Sequence, residues 1–306
     1  MKCSRLSAAF FSVLFFSSIL MGISVSAEKD FPRLTGKYFG QKEPGDQAEL
    51  YAPGLISLEG RYEFALSFSP KGDELMFSVQ VPKEPACVYY SKQKSGIWTE
   101  PVPISLSQGI KKEEMEAFFS WDGKYIYFAP YDDGLDVRIW SVEIQKDGWR
   151  NPKILGRPVS DDSAFFPTCS KNGVLYYSNI TKNKIYTAYL DGGEVVKAED
   201  SGIEFGGHPF IAPDESFILL DALQDEGYGA RDIYVAFKNP DNNWTKPINL
   251  GSKVNTENNE TCPSLSADGK YLFFSRYNEP GEISNFYWIS TQVIEEARKK
   301  LNSKGL

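Results

Sequence analysis

Ser266-Ala-Asp-Gly-Lys-Tyr-Leu-Phe-Phe274 decides the fold of this chain, because Ser120-Trp-Asp-Gly-Lys-Tyr-Ile-Tyr-Phe128 is nearly the same phrase. Looser copies run through Leu66–Gly72, Pro167–Gly173 and Pro209–Glu215, each an apolar stretch, a polar turn and a second apolar stretch. The turn positions 72, 123, 173, 215 and 269 are spaced by 51, 50, 42 and 54 residues. Recurrence at roughly 40–50 residues, with strand signals and no helical period, predicts an all-β chain folded as a β-propeller.

Each copy predicts four strands. The first ends in a same-face apolar pair, Leu66/Phe68, Ala117/Phe119, Pro209/Ile211 and Pro263/Leu265, because residues two apart share a strand face. Asp-Gly or Asn-Gly then favours a tight hairpin, since both tolerate positive φ. The second strands, such as Phe217–Leu220 and Tyr271–Phe274, are apolar almost throughout and predict burial on both faces. Third strands follow at Val88–Tyr90, Val137–Trp140, Ile185–Tyr186, Asp232–Val235 and Phe286–Trp288. Fourth strands carry Trp-x-x-Pro at Trp98–Pro101, Trp149–Pro152 and Trp244–Pro247, where proline suits an outer edge. The third copy lacks that signature, offers Gly193–Val196 instead, and is the weakest match.

After Trp288 the fifth copy has no fourth strand, and Thr291–Leu301 predicts a short C-terminal helix. The missing strand is expected from Glu49–Ile56, so that the N-terminus closes the ring and removes its open edges. This yields five four-stranded blades. Six blades, the alternative, would need a further copy within residues 28–60. The expected organisation is a signal peptide at 1–27, an N-terminal segment with the closing strand at 28–60, repeats over 61–290, and a helix and tail at 291–306.

The Ser-x-Asp-Gly-Lys-Tyr phrase, Arg231-Asp-Ile-Tyr234 and the Trp-Thr-x-Pro strands resemble the WD40-like, TolB-type propeller repeat of exported bacterial proteins. The resemblance covers roughly residues 60–290 and implies a bacterial exported protein. TolB itself carries a separate N-terminal α/β domain, for which the residues before the first repeat leave no room.

Composition narrows the function. Lys2 and Arg5 precede an apolar run from Ala8 to Ile23, and Val25-Ser26-Ala27 forms a cleavage signal. Removing 27 of 306 residues leaves 279 and takes away Lys2 and Arg5, which moves the net charge from −8 to −10. A domain this acidic disfavours nucleic acid, whose phosphates need clustered Lys and Arg. A periplasmic or secreted monomer without a membrane span is expected. Cys87, Cys169 and Cys262 are an odd number spread over three copies, so at least one thiol stays free of any disulfide.

The candidate site comes from the repeat. The slot nine residues before the turn holds Glu63, Glu114 and Glu260, and Glu116 and the only histidine, His208, lie nearby. These five are expected at an acidic channel mouth that binds a hydroxyl-rich or cationic ligand. Calcium is the one cofactor such oxygens would suit. A bland reading competes, in which the glutamates only hydrogen-bond exposed backbone. A second set, Asp132, Asp133 and Asp136 with Arg138, and Asp221, Asp225, Glu226 and Asp232 with Arg231, reads as salt bridges between blades. No catalytic set is assembled, since one histidine and no Gly-x-Ser-x-Gly elbow argue against a triad. The function expected is a non-enzymatic module engaging an envelope protein or glycan. The alternative is a glycoside hydrolase or polysaccharide lyase using two of the glutamates.

Overall fold

The computed structural model describes residues 31–132, 136–277 and 283–303. The expected signal peptide lies outside them, as does Asp133. Apart from one terminal helix and short 3-10 turns, the described elements are strands.

Among the described residues the strands pair antiparallel within each repeat, and repeats 5 and 1 are further joined into one sheet by a parallel bridge between Ser284 and Tyr62. Repeat 1 runs Tyr62–Phe68, Glu74–Gln80 and Cys87–Lys94, then two short outer pieces, Ile97–Trp98 and Val102–Ile104. Repeat 2 runs Glu113–Phe119, Tyr125–Tyr131, Trp140–Gln145 and Gly148–Ile154. Repeat 3 runs Ala164–Cys169, Val174–Asn179, Lys184–Asp191 and Glu194–Asp200. Repeat 4 runs Gly207–Ile211, Phe217–Ala222, Asp232–Phe237 and Ile248–Asn249. Repeat 5 runs Asn259–Leu265, Tyr271–Tyr277 and Ser284–Ser290. Its fourth strand is Glu49–Leu50, which pairs antiparallel with Trp288 and Tyr287. The architecture is the propeller that the periodicity predicts.

Proline shapes the outer strands as its missing N–H requires. Pro101 separates the two outer pieces of repeat 1, and Pro152 sits in the register shift between Arg150 and Lys153. Repeat 3, the weakest match in sequence, has an outer strand with six paired positions, because no proline interrupts its ladder.

The first strand of every repeat shares a bulge that the sequence does not announce. Pairing slips between Phe64 and Ser67, Met115 and Phe118, Phe165 and Thr168, Gly207 and Phe210, and Thr261 and Ser264. In each slip one residue takes left-handed backbone: Ala65, Glu116, Phe166, His208 and Cys262, with φ of 57°, 58°, 51°, 44° and 53°. Non-glycine residues take this conformation at a cost of about 1–3 kcal/mol and keep it only where their surroundings require it. At four of the five, Ala65 being the exception, the surroundings supply a side-chain acceptor. Ser78 Oγ accepts the Glu116 amide at 2.7 Å, Ser178 Oγ the His208 amide at 3.0 Å, and Asp221 Oδ2 the Cys262 amide at 3.1 Å. Each acceptor lies on the second strand of the preceding repeat, opposite Phe64, Phe165 and Gly207 respectively. Repeat 2 has Ala129 at that position, and the Glu116 carboxylate takes over, accepting the Phe166 amide at 2.7 Å.

Ahead of the closing strand, residues 34–40 form a strap over the junction of repeats 5 and 1. The Trp98 amide donates to Leu34 O at 2.9 Å, and Trp98 Nε1 to Gly36 O at 2.9 Å. Tyr38 and Phe39 both have left-handed backbone, and Gly40 must be glycine because a Cβ there would lie 2.8 Å from Thr35 O. Tyr38 is buried among Phe68, Tyr271, Phe273 and Trp288, with ring centroids 5.4–6.1 Å away. The helix spans Gln292–Ser303 and buries Val293, Ile294 and Ala297.

Replacing the fully buried Ser78 by alanine strands the Glu116 amide without an acceptor, which is expected to lower stability by about 1–3 kcal/mol. Urea unfolding monitored by tryptophan fluorescence reads this directly; an unchanged midpoint would mean that the bulge amide does not need its acceptor.

Candidate functional site

The left-handed residues of the first strands surround a cavity at the axis. This cavity of about 560 Å³ is lined by Tyr62 and Phe64 of repeat 1, Glu116 of repeat 2, Phe165 of repeat 3, Gly207 and His208 of repeat 4, and Thr261 and Cys262 of repeat 5. Arg231, Lys184, Asn179, Asn183, Gln80 and Tyr277 also line it. Every first strand contributes.

At its base lies a closed polar network. The Asp221 side chain is 0 % exposed, and His208 Nδ1 lies 2.6 Å from its Oδ2. Arg231 Nε donates to Oδ1 at 2.8 Å, and Arg231 Nη2 bonds the same oxygen. With the Cys262 amide on Oδ2, both oxygens of Asp221 are satisfied. Burial works against the charge on Asp221, but His208 and Arg231 hold the carboxyl below its ordinary range. Burial likewise disfavours imidazolium, yet the charge and hydrogen bond of Asp221, with Glu116 behind, raise His208 above its usual value. His208 and Arg231 are not sealed in: their side chains keep 20 % and 35 % of their exposure. Phe165 and Phe166 clamp the imidazole edge-on, at 5.1 and 5.0 Å.

Glu116 titrates in the opposite direction to Asp221. Burial pushes its carboxyl up to about 7, against the pull of His208 and of the Phe166 amide. The pocket thus holds two titratable groups that are both shifted upward, the Glu116 carboxyl by burial and the His208 imidazole by Asp221. Cys262 adds no reactivity, because burial raises its thiol well above the ordinary range.

The five expected site residues divide. Glu116 and His208 line the pocket. Glu63, Glu114 and Glu260 do not; for Glu63 and Glu260 the strand neighbours Tyr62, Phe64 and Thr261 line the cavity, and alternation turns these two glutamates away from it. Each instead holds the chain that leads into its own strand. Glu63 accepts from the Leu58 amide at 3.0 Å and Arg61 Nε at 2.6 Å. Glu114 accepts from the Leu106 and Ser107 amides at 2.6 and 3.0 Å. Glu260 accepts from the Thr256 amide at 3.0 Å and Arg276 Nε at 2.7 Å. In place of an acidic mouth, the charged lining is Glu116 with Lys184, His208 and Arg231.

Asp221 and Arg231 are the residues that sequence reasoning placed elsewhere, in the set read as salt bridges between blades. They pair within repeat 4, and Asp221 reaches repeat 5 only through the Cys262 amide. One signal was present: Asp221 continues the apolar strand Phe217–Leu220, where an aspartate needs a buried partner. The other set does pair locally, Asp136 with Arg138 and Asp132 with Lys111. Among the described residues no three His, Cys, Asp or Glu side chains form a metal-binding group, Cys87, Cys169 and Cys262 are free thiols, and no helix is long and apolar enough to cross a membrane.

Solved structures share this fold at low identity. A protein named as TolB from Agrobacterium tumefaciens matches with a TM-score of 0.50 and 14% identity, over 76% of this chain and 78% of that one. TolB from Acinetobacter baumannii matches at 0.48 and 14%, over 74% of this chain and 54% of its own length. A gluconolactonase-family protein matches at 0.45 and 14%, over 84% and 96%. The chain is a TolB-like β-propeller in fold. No family model matches it, and no curated protein does.

The raised Glu116 carboxyl carries a pH signature. Unfolded, it titrates near 4.5; folded, it keeps its proton to about 7, so in that window the native state binds more protons and stability falls as pH rises. Glu116→Gln is expected to remove that slope and to gain on the order of 3 kcal/mol relative to the parent above pH 7. Unfolding free energies of both proteins at pH 5 and pH 8 test this; parallel pH profiles would overturn it.

Proposed function

We propose that this protein is an exported binding module whose axial pocket holds one ring of a glycan. The observation that carries the reading is the juxtaposition of an aromatic wall, Tyr62, Phe64 and Phe165, with the closed Asp221–Arg231–His208 network in one cavity. Aromatic faces pack against the apolar face of a sugar, while a few fixed polar groups orient its hydroxyls. Lys184, His208 and Arg231, although paired with Asp200 and Asp221, bring N–H donors to the cavity lining, which favours an acceptor-rich sugar such as a uronate over a cationic one. Periplasmic or secreted placement rests on the N-terminal segment and on the resemblance to exported propellers.

A second reading, glycan cleavage, draws on Glu116: a carboxyl held protonated to about 7 beside His208 is suited to general-acid chemistry. It differs from the pair that the sequence suggested, since Glu63, Glu114 and Glu260 are engaged elsewhere.

Thermal unfolding against a panel of acidic and neutral oligosaccharides tests both. A ligand at 100 times its Kd adds about 2.7 kcal/mol to native stability. Uronate-containing oligosaccharides are expected to raise the Tm, and Phe165→Ala and Tyr62→Ala to abolish the rise without unfolding the chain. A rise that survives both replacements would place the ligand outside the pocket. Product formation that is lost in Glu116→Gln, with binding retained, would put the cleavage reading first.

A further inference from the structure

Two turns of the propeller, Ser-Trp-Asp-Gly-Lys-Tyr at 120–125 and Ser-Ala-Asp-Gly-Lys-Tyr at 266–271, share one hydrogen-bond pattern, but only the second holds another segment of this chain. Ser120 Oγ donates to Asp122 Oδ1 at 2.7 Å and accepts the Tyr125 amide at 2.9 Å. Ser266 Oγ donates to Asp268 Oδ1 at 2.8 Å and accepts the Tyr271 amide at 3.1 Å. Each turn faces the hairpin of the next repeat across a crevice. Ala267 and Asp268 face Pro70–Gly72, and Trp121 and Asp122 face Lys171–Gly173. Both crevices lie at the turn end of the first strands, away from the axial pocket.

The chain itself occupies the crevice between repeats 5 and 1. Tyr38 donates its hydroxyl to Asp268 Oδ1 at 2.9 Å and meets Tyr271 edge-on at 5.4 Å, while Lys37 Nζ reaches Asp268 Oδ2 at 2.8 Å. Between repeats 2 and 3 there is a cavity of about 250 Å³, lined by Trp121, Asp122, Tyr125, Tyr127, Cys169 and Lys171. Tyr125 and Tyr127 stand where Tyr271 and Phe273 stand. Cys169 replaces Phe68, and Ser141, paired with Tyr127, replaces Trp288, paired with Phe273. Trp121, where the other turn has Ala267, takes up part of the space these smaller residues free, and the cavity that remains holds the volume of one ring. The Asp122 side chain is 49 % exposed, and its ion partner, Lys124, stands 3.4 Å away and is itself exposed.

We propose that the crevice between repeats 2 and 3 receives the tyrosine side chain of a partner protein, held on Asp122 and Tyr125 as Tyr38 is held on Asp268 and Tyr271. The surrounding charge selects the neighbours of that tyrosine. Lys124 borders the crevice, and Lys171 lies over the Trp121 ring at 5.8 Å, so a lysine beside the tyrosine, as in Lys37-Tyr38, is repelled and an acidic residue is favoured. The site is independent of the axial pocket and of its ligand.

Capped synthetic peptides test this by heteronuclear NMR or calorimetry on the full mature chain: Gly-Glu-Tyr-Gly, Gly-Glu-Phe-Gly and Gly-Lys-Tyr-Gly. The acidic tyrosine peptide is expected to bind with millimolar affinity. Removal of the hydroxyl in the phenylalanine peptide should weaken it about five- to tenfold, the fold-change of one lost hydrogen bond. Asp122→Asn keeps the oxygen that serves the turn and the tyrosine but removes the carboxylate charge, and since charge-assisted bonds are roughly twice as strong as neutral ones, it should weaken the tyrosine peptide about fivefold. Asp268→Asn should leave it unchanged, which separates this crevice from the one the strap fills. Equal binding of the tyrosine and phenylalanine peptides, equal binding to Asp122→Asn, or no binding at millimolar peptide would each overturn the proposal. A saccharide that binds here and is lost in Asp122→Asn, with no peptide bound, would also overturn it.

Discussion

The bulge amide in four of the five first strands, at Glu116, Phe166, His208 and Cys262, is the constraint on which the rest of this propeller depends. A residue with left-handed backbone leaves the ladder, and its N–H, buried at the axis, must find an acceptor elsewhere. The neighbouring repeat supplies one: Ser78, Glu116, Ser178 or Asp221. Adjacent sheets are thus joined near the axis by directional bonds as well as by the apolar packing of their faces. The same distortion turns Glu116, His208 and Cys262 out of the alternation of their strands and into the lining of the cavity.

Stability and the candidate site consequently share atoms. Asp221 accepts the Cys262 amide and, with the same carboxylate, holds His208 and Arg231 at the pocket. Breaking a buried ion pair by removing one partner typically costs 3–5 kcal/mol, so this residue cannot be tuned for ligand alone. Glu116 has the same double duty, since it replaces the missing hydroxyl at Ala129 while presenting a carboxyl near neutrality to the pocket. The electrostatics of the site are in this sense a by-product of how the sheets are joined.

Closure uses a different physics. The final sheet is completed by a strand of only two residues, Glu49–Leu50, and the aromatic cluster around Tyr38 and Tyr51 reinforces it. Such ring pairs contribute about 0.5–1.5 kcal/mol each beyond their buried area. Asp268, held at about 2 by Lys37, Ser266 and Tyr38 despite its partial burial, anchors the strap. The strain of two consecutive left-handed residues, Tyr38 and Phe39, is sustained by these contacts.

Residue order alone determined the repeat, its turns, the apolar second strands, the closing role of the segment around Glu49 and the terminal helix. Each of these follows from local periodicity, turn chemistry or an unpaired edge, all of which act over a few neighbouring residues. Glu116 and His208 were legible as site candidates because they are polar residues near the start of a first strand. Glu63, Glu114 and Glu260 looked equivalent in one dimension, yet a single step along a strand reverses the face. The left-handed residue in each strand, the pairing of Asp221 with His208 and Arg231, and the gathering of Glu116, Lys184, His208 and Arg231 at one pocket were decided by the tertiary structure alone. A bulge is specified by acceptors on the neighbouring repeat, and a titration by whichever charges the ring brings within a few ångströms.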